Sequence, residues 1–308
     1  MSVRSVDIDG RRIAAVVVEP ALTPPVRYKG VVWVRVGPRR AIASADEERR
    51  LAERRRSLDL PFDARPLMGR TVDSELDLEL FRREYLPSAV DPDVLAENGR
   101  TPLEQLASLG LGTLDNVPTV AGVLLIGKDP REQLPGAYVQ FLRLEGTTLA
   151  DPVRDEKVLD GPLIDVLRQL DEVLALNLST AVDVTVTPER RGPDYPLAAL
   201  QQLARNAIMH RSYEVSNAPT RITWYDDRVE MWSPGGSYGA VTAASFGRPG
   251  VTDYRNPGIA AALRSLGYVQ RFGVGLATAR QACERNGNPA PEFDVEPGYV
   301  AVTVRRTG

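Results

Sequence analysis

Three polar residues on one helical segment carry the clearest chemistry in this chain. In Gln202-Leu-Ala-Arg-Asn206-Ala-Ile-Met-His210 the glutamine, asparagine and histidine fall at i, i+4 and i+8, so a helix would align them in one stripe. Leu200, Leu203, Ala207 and Ile208 supply its apolar positions. An asparagine carbonyl oxygen can ligate a hard cation. A glutamine amide can orient a water but has no basic site near neutral pH. His210, the one histidine of the chain, could be a general base, or a helix-end residue favoured by the dipole. On spacing alone, the stripe could also be plain surface.

Glycine supplies the second signal. Asp226-Asp-Arg-Val-Glu-Met-Trp-Ser233-Pro-Gly235-Gly236 predicts a strand ending in a tight turn. Gly273-Val-Gly275-Leu-Ala-Thr is half of a dinucleotide fingerprint; two glycines opening a helix let backbone amides approach an anion. Gly122-Val-Leu-Leu-Ile-Gly127-Lys128-Asp129 nearly matches a phosphate loop and is rejected. Its four inner residues are apolar and predict a buried strand, and Asp129 lacks the metal-binding hydroxyl. Cys283, with Ala279 and Ala282 on its helix, reads as a small buried hydrophobe, since no second histidine could act as its base.

Composition narrows the chemistry. Of 308 residues, 43% are apolar and 26% charged, enough for a packed core. The 38 basic residues include lysine only at Lys29, Lys128 and Lys157, leaving 38 − 3 = 35 arginines. A net charge of −3 argues against a general polyanion binder. One cysteine and one histidine exclude an intramolecular disulfide and a multi-Cys or His-rich metal site. The start carries no apolar signal core and no apolar run reaches membrane length, so a cytoplasmic protein without a membrane partner is expected.

The elements that must position these residues are legible in outline. Ile13 to Val18 and Val31 to Val36 predict strands, and Ser44 with Glu47 predicts a capping box on a helix reaching about Ser57. That helix interleaves acids with arginines, as a solvated face does; the alternative is a DNA contact through Arg54, Arg55 and Arg56. Helices are expected over 73–85, 91–97 and 101–109, then strands over Thr119 to Gly127 and Ala137 to Leu144. A helix over 160–178, a strand over 181–187 and a connector from Arg190 lead to the helix that starts at Pro196 and runs to about His210. A hairpin around Asp226-Asp227, helices over 256–266 and 275–286, and two closing strands complete the pattern.

In this order the pieces resemble the GHKL ATPase superfamily of gyrase, MutL, the heat-shock ninety chaperones and histidine kinases. They resemble more closely bacterial proteins that join a Schlafen-type AlbA-like domain to such an ATP-binding domain, described as transcriptional regulators or RecG-helicase-related proteins. The likeness rests on Tyr195-Pro-Leu-Ala-Ala-Leu, Asn206-Ala-Ile-Met-His210-Arg211-Ser-Tyr213, Asp227-Arg-Val-Glu, Ser233-Pro-Gly-Gly, Arg255-Asn256-Pro257, Leu266-Gly-Tyr, Arg271-Phe-Gly273-Val-Gly275-Leu and Pro291-Glu-Phe. Trp33-Val-Arg-Val-Gly37 and Ala43-Ser-Ala-Asp-Glu-Glu48 resemble only the C-terminal part of the AlbA-like domain.

The resemblance implies an α+β chain in three parts. These are the end of an AlbA-like α/β domain over 1–65, a helical and strand connector over 66–154, and a GHKL-type (Bergerat) α/β sandwich over 155–308. It implies ATP and Mg²⁺ as ligands, with Asn206 holding the metal, Gly235 and Gly236 near adenine, and Gly273 and Gly275 bordering the phosphates. Arg211, Arg255 and Arg271 would make the charged phosphate contacts, because none of the lysines lies in the closing motifs. Two departures matter. The superfamily's general-base glutamate falls on Gln202, and its adenine-reading aspartate falls on Ser233. No nuclease site is carried over, because the AlbA-like part lacks its N-terminal half. The expected function is an ATP-binding, transcription-related regulator with weak or absent hydrolysis. The alternatives are a scaffold binding DNA or a protein without nucleotide, and a working ATPase with His210 or a nearby acid as base. A homo-oligomer stays open.

Overall fold

The computed structural model describes residues 2–8, 11–17, 25–36, 39–45, 47–48, 60–97, 99–183, 190–248, 250–269 and 274–307. The chain divides into two compact units, Met1–Leu60 and Pro61–Gly308.

In the first unit, β1 (Ser2–Ile8) and β2 (Arg11–Val17) form an antiparallel pair, and β3 (Arg27–Tyr28), β4 (Val31–Val36) and β5 (Arg39–Ile42) a small antiparallel sheet. The Ser44 capping box forms: Glu47 N donates to Ser44 Oγ at 3.3 Å, and Ser44 N donates to Glu47 Oε2 at 2.8 Å. Arg54, Arg55 and Arg56 lie outside the described residues.

The second unit is built on a six-stranded sheet. Its strands are β6 (Val139–Leu144), β7 (Val153–Leu159), β10 (Thr220–Trp224), β11 (Arg228–Pro234), β12 (Glu292–Val295) and β13 (Tyr299–Arg305). Their order is β12-β13-β11-β10-β6-β7, antiparallel except where β6 runs parallel to β10. The sheet therefore takes in β6 and β7, and β7 straddles residue 154, where a domain border is drawn from sequence.

Alternation sets the two faces of the sheet. Phe141, Ile222, Trp224, Val229, Met231, Val302 and Val304 are buried on one face. Their register neighbours Arg221, Glu230 and Trp232 are half-buried or exposed. Against the buried face lie α2 (Leu163–Asn177) and α3 (Leu197–Met209), and α5 (Gly275–Asn286) packs on α3. The result is a mixed α+β unit with a GHKL-like α/β sandwich at its C-terminal end. In α3, Leu200, Leu203, Ala204, Ile208 and Met209 are buried, each large side chain contributing about 1.5–3 kcal/mol.

Three expectations fail locally. Thr119 to Gly127 is not a strand: Val120–Ile126 is a helix, α1, capped by Thr119 Oγ1, which accepts from Gly122 N. All seven of its residues are buried, so no polar face marks its period. Gly122 is there for packing, since a Cβ would stand 2.0 Å from the Leu111 carbonyl oxygen. The region from Arg190 is not a bare connector: β9 (Arg190–Pro193) pairs with β8 (Thr180–Asp183). The helix expected over 73–85 is broken, into Val72–Glu75, Leu78–Leu80 and a π-turn at Phe81–Tyr85, with Asp77 capping the second piece.

One long-range contact fixes the helix that follows the site loop, α4 (Pro257–Ser265). Its preceding residue, Asn256, does not cap it. Fully buried Asp63 does so instead, accepting from Ile259 N at 3.0 Å. Burial raises the Asp63 carboxyl above the usual range, although backbone donors from Ile259 and Gly258 pull it down.

Candidate functional site

Helix α3 brings the predicted stripe to a cavity. Among the described residues, the cavity is lined by Gln202, Asn206 and His210 from α3, and by Ser233, Gly235 and Gly236 from the end of β11. The 237–254 loop and the start of α5 at Gly275 close it. The enclosed volume is about 190 Å³. A single buried water needs roughly 10–15 Å³ on this measure, so the space is of ligand size.

At one end, Gln202 is 7% exposed and donates from Nε2 to Asn206 Oδ1 at 3.5 Å. A Cβ on Gly275 would stand 2.4 Å from Gln202 Nε2, so a side chain here would displace the glutamine amide packed on it. Gly275 opens α5 and lines the cavity with Asn206, and the residue before it, Val274, makes no side-chain capping bond. Asn206 offers one hard oxygen. No group of three or more His, Cys, Asp or Glu side chains that could hold a metal occurs among the described residues.

At the other end the last carbonyls of α3, which a helix leaves without partners, are all taken. Ser233 Oγ donates to Ala207 O at 2.6 Å, Tyr213 Oη to Ile208 O at 3.1 Å, and Asn256 Nδ2 to Met209 O at 2.9 Å. Ser233 thus closes the helix end, and its proton is committed there. Gly235 N donates to Gly298 O, and Gly236 N to Pro297 O. Gly235 has φ +92°, and a Cβ on Gly236 would lie 2.3 Å from Glu296 O. Both glycines line the cavity, but their lack of a side chain is demanded by the turn at 296–298 and by Ser212.

His210 lines the cavity with its ring parallel to that of Tyr254, centroids 5.7 Å apart at 16°. The helix dipole at this end favours a charged imidazole, yet burial, and secondarily Arg255, lowers its pKa to about 4. At neutral pH the ring is uncharged and a weak base.

The arginines separate. Arg211 is 2% exposed and turns away, donating to the carbonyls of Ser212, Ser216 and Ala218; it does not line the cavity. Burial depresses its pKa, and carbonyl contacts of this kind make it a structural cation. Arg255 stands beside the cavity, donating to Gly236 O at 2.9 Å and covering Tyr238. Arg271 and Gly273 lie outside the described residues.

Sequence reasoning missed the loop that closes the cavity. Asp253 fastens its base, accepting from Ala240 N at 3.0 Å and from Tyr254 N at 2.8 Å. Arg280 of α5 holds its crest by donating to Gly247 O at 3.1 Å. Arg248 lines the cavity, exposed, and among the described residues no hydrogen bond or ion pair takes its guanidinium. Its only sequence signal is an arginine among loop-formers, Gly247-Arg-Pro-Gly250.

Residues 217–304 match the family described as "Putative ATP-dependent DNA helicase recG C-terminal". The matched segment defines an ATPase-like domain. It holds Ser233, Gly235, Gly236, Arg248, Tyr254 and Gly275, while Gln202, Asn206 and His210 precede it. The fold is similar to that of the DIP2311 protein from Corynebacterium diphtheriae, with a TM-score of 0.60 and 22% identity over 99% of this chain and 59% of that one. At that identity the likeness concerns the fold. This chain spans 59% of the length of that structure's chain. No curated protein matches it. Among the described residues, no helix is long and apolar enough to cross a membrane.

Proposed function

We propose that the C-terminal part binds ATP with Mg²⁺ and hydrolyses it slowly or not at all, in the service of a regulatory, transcription-related role. The observation that carries this reading is the convergence of Gln202, Asn206, His210, Ser233, Gly235, Gly236 and Gly275 on one ligand-sized cavity. Asn206 would hold the magnesium, which when bound neutralises phosphate charge. The start of α5 would receive phosphate oxygens. Arg248 replaces Arg211 as the arginine available to them. Gln202 can orient a water through its carbonyl oxygen or amide, but it cannot accept the proton. His210 does not take over that role at neutral pH, with its pKa near 4.

The reading extends to the rest of the chain by resemblance. In it, 1–65 is the end of a Schlafen-type AlbA-like domain, 66–154 a connector and 155–308 the ATP-binding domain. A second reading, a scaffold that binds DNA or protein without nucleotide, is favoured by one observation. Ser233 and the amides of Gly235 and Gly236 are all committed inside the chain.

Titration calorimetry with ATP and Mg²⁺ separates the two. Saturable heat that falls at least tenfold in affinity in Asn206→Ala is expected, with phosphate release near background. No heat and no thermal shift at millimolar nucleotide would falsify nucleotide binding and leave the scaffold.

A further inference from the structure

The loop over 237–254 meets α5 at its crest. Arg280 donates from Nη1 to Gly247 O at 3.1 Å. Gly247 has φ +71°, and a Cβ on it would stand 2.9 Å from Arg280 Nη2 and 3.6 Å from Leu276 Cδ1. Leu276 and Arg280 lie four residues apart on the helix, so the crest rests on one face of α5. Beside this contact the Phe246 ring packs on Phe293 of β12, centroids 5.4 Å apart at 53°. The Arg280 guanidinium stands 5.5 Å from the centre of that same Phe293 ring. Arg280 thus reaches both anchors of the crest, the Gly247 carbonyl and the ring that packs on Phe246. Phe246, Gly247, Arg248, Leu276 and Phe293 line the cavity; among the described residues Arg280 does not. Leu276 is the second residue of α5, which places the crest beside the helix start.

We propose that Arg280 is a positioning residue that aims Arg248 at the phosphate chain of a nucleotide. The proposal rests on the nucleotide reading above and extends it to a side chain outside the cavity. The Gly247 carbonyl and the Arg248 nitrogen belong to one planar peptide unit. Fixing that oxygen therefore fixes the plane from which Arg248 departs. Without the bond, a glycine at this place leaves the crest many backbone states. A guanidinium donating to a carbonyl makes a charge-assisted bond, stronger than a neutral one. Its plane can also serve the Phe293 ring while it donates, a double task that a lysine ammonium performs less well. The two anion contacts of the reading, the start of α5 and Arg248, are then held by one helix.

The test is a double-mutant cycle read by equilibrium binding of ATP with Mg²⁺ to the full chain. Its members are the parent, Arg280→Met, Arg248→Ala and the double variant. Methionine keeps an unbranched stem against Phe293 and removes the donor. Arg248→Ala should lose about tenfold in affinity, the worth of one charge-assisted hydrogen bond. Arg280→Met should lose about fivefold in the parent and less than about twofold in the Arg248→Ala background, because its effect passes through Arg248. A merely structural role for Arg280 would lower affinity by the same factor in both backgrounds, and that result overturns the proposal. Unchanged affinity in Arg280→Met overturns it too. If the parent binds no ATP, the nucleotide reading fails and the positioning role falls with it. If the parent binds ATP and Arg248→Ala binds it as tightly, the positioning role alone is overturned. Should Arg280→Met fail to fold by thermal melting, Gly247→Ala takes its place in the cycle, since its Cβ parts the crest from Arg280 and leaves α5 unaltered. Loss that depends on Arg248 supports the proposal, and equal loss in both backgrounds, or none, overturns it.

Discussion

The two ends of the cavity are built on opposite terms. Around Gln202, Asn206 and Gly275 the polar groups are loosely held among the described residues: one long hydrogen bond at 3.5 Å and a helix start without a side-chain cap from Val274. Around Ser233 the helix end is closed by Ser233, Tyr213 and Asn256, and the amides of Gly235 and Gly236 are paired within the chain. Unpaired groups beside a cavity are available to a ligand; paired ones hold the walls still. The residues that resemble a binding motif therefore divide into those that can bind and those that brace.

Four substitutions or measurements sharpen that contrast. The largest effect is expected at the open end. Gln202→Glu restores a proton acceptor without changing side-chain length, and should raise phosphate release about a hundredfold over the parent. A variant that binds ATP yet stays at background would mean the missing base is not what limits turnover. At the braced end, Gly236→Ala forces a Cβ against Glu296 O and Pro297 O, and should cost about 2 kcal/mol in denaturant unfolding. Stability unchanged in that variant would show that the 296–298 turn is pliable. Ser233→Ala should cost about 1 kcal/mol by leaving the Ala207 carbonyl without its partner.

The smallest effect concerns pH. His210 faces Arg255, which lowers its pKa, and Asp253, which raises it, but burial dominates. A folded-state value near 4 against 6.5 unfolded makes its contribution full above pH 6.5 and lost as pH falls toward 4. Between pH 7 and 6 the parent should lose about 0.7 kcal/mol relative to His210→Phe. An NMR titration in which the imidazole protonates near pH 6.5 would leave His210 with no contribution to this pH dependence.

Legibility in the sequence followed solvent exposure. Helix α3 could be read because one face is apolar and the other carries Gln202, Asn206 and His210. Helix α1 could not, because burial on all sides erases the period from Val120 to Ile126. The glycines at 235, 236 and 275 were visible as glycines, but what they avoid sits at Glu296, Ser212 and Gln202, which spacing cannot reveal. Arg211 shows the same limit, since burial and three carbonyl partners made a promising cation unavailable. The loop over 237–254 has no periodicity, and Asp253, Tyr254 and Arg248 take their roles only from how it closes.

Asp63 gives the second unit an order of assembly. Its carboxylate sits three residues into the unit, yet the helix start it caps lies 196 residues further on. A ribosome making this chain extrudes the cap long before the helix that needs it. Until then the segment around Asp63 can be solvated and has no reason to be buried. Closing so long a loop is entropically slow but costs only logarithmically more than closing a short one. The helix behind the site loop is thus expected to lock late, and a fragment beginning at residue 66 would carry that helix with its start bare.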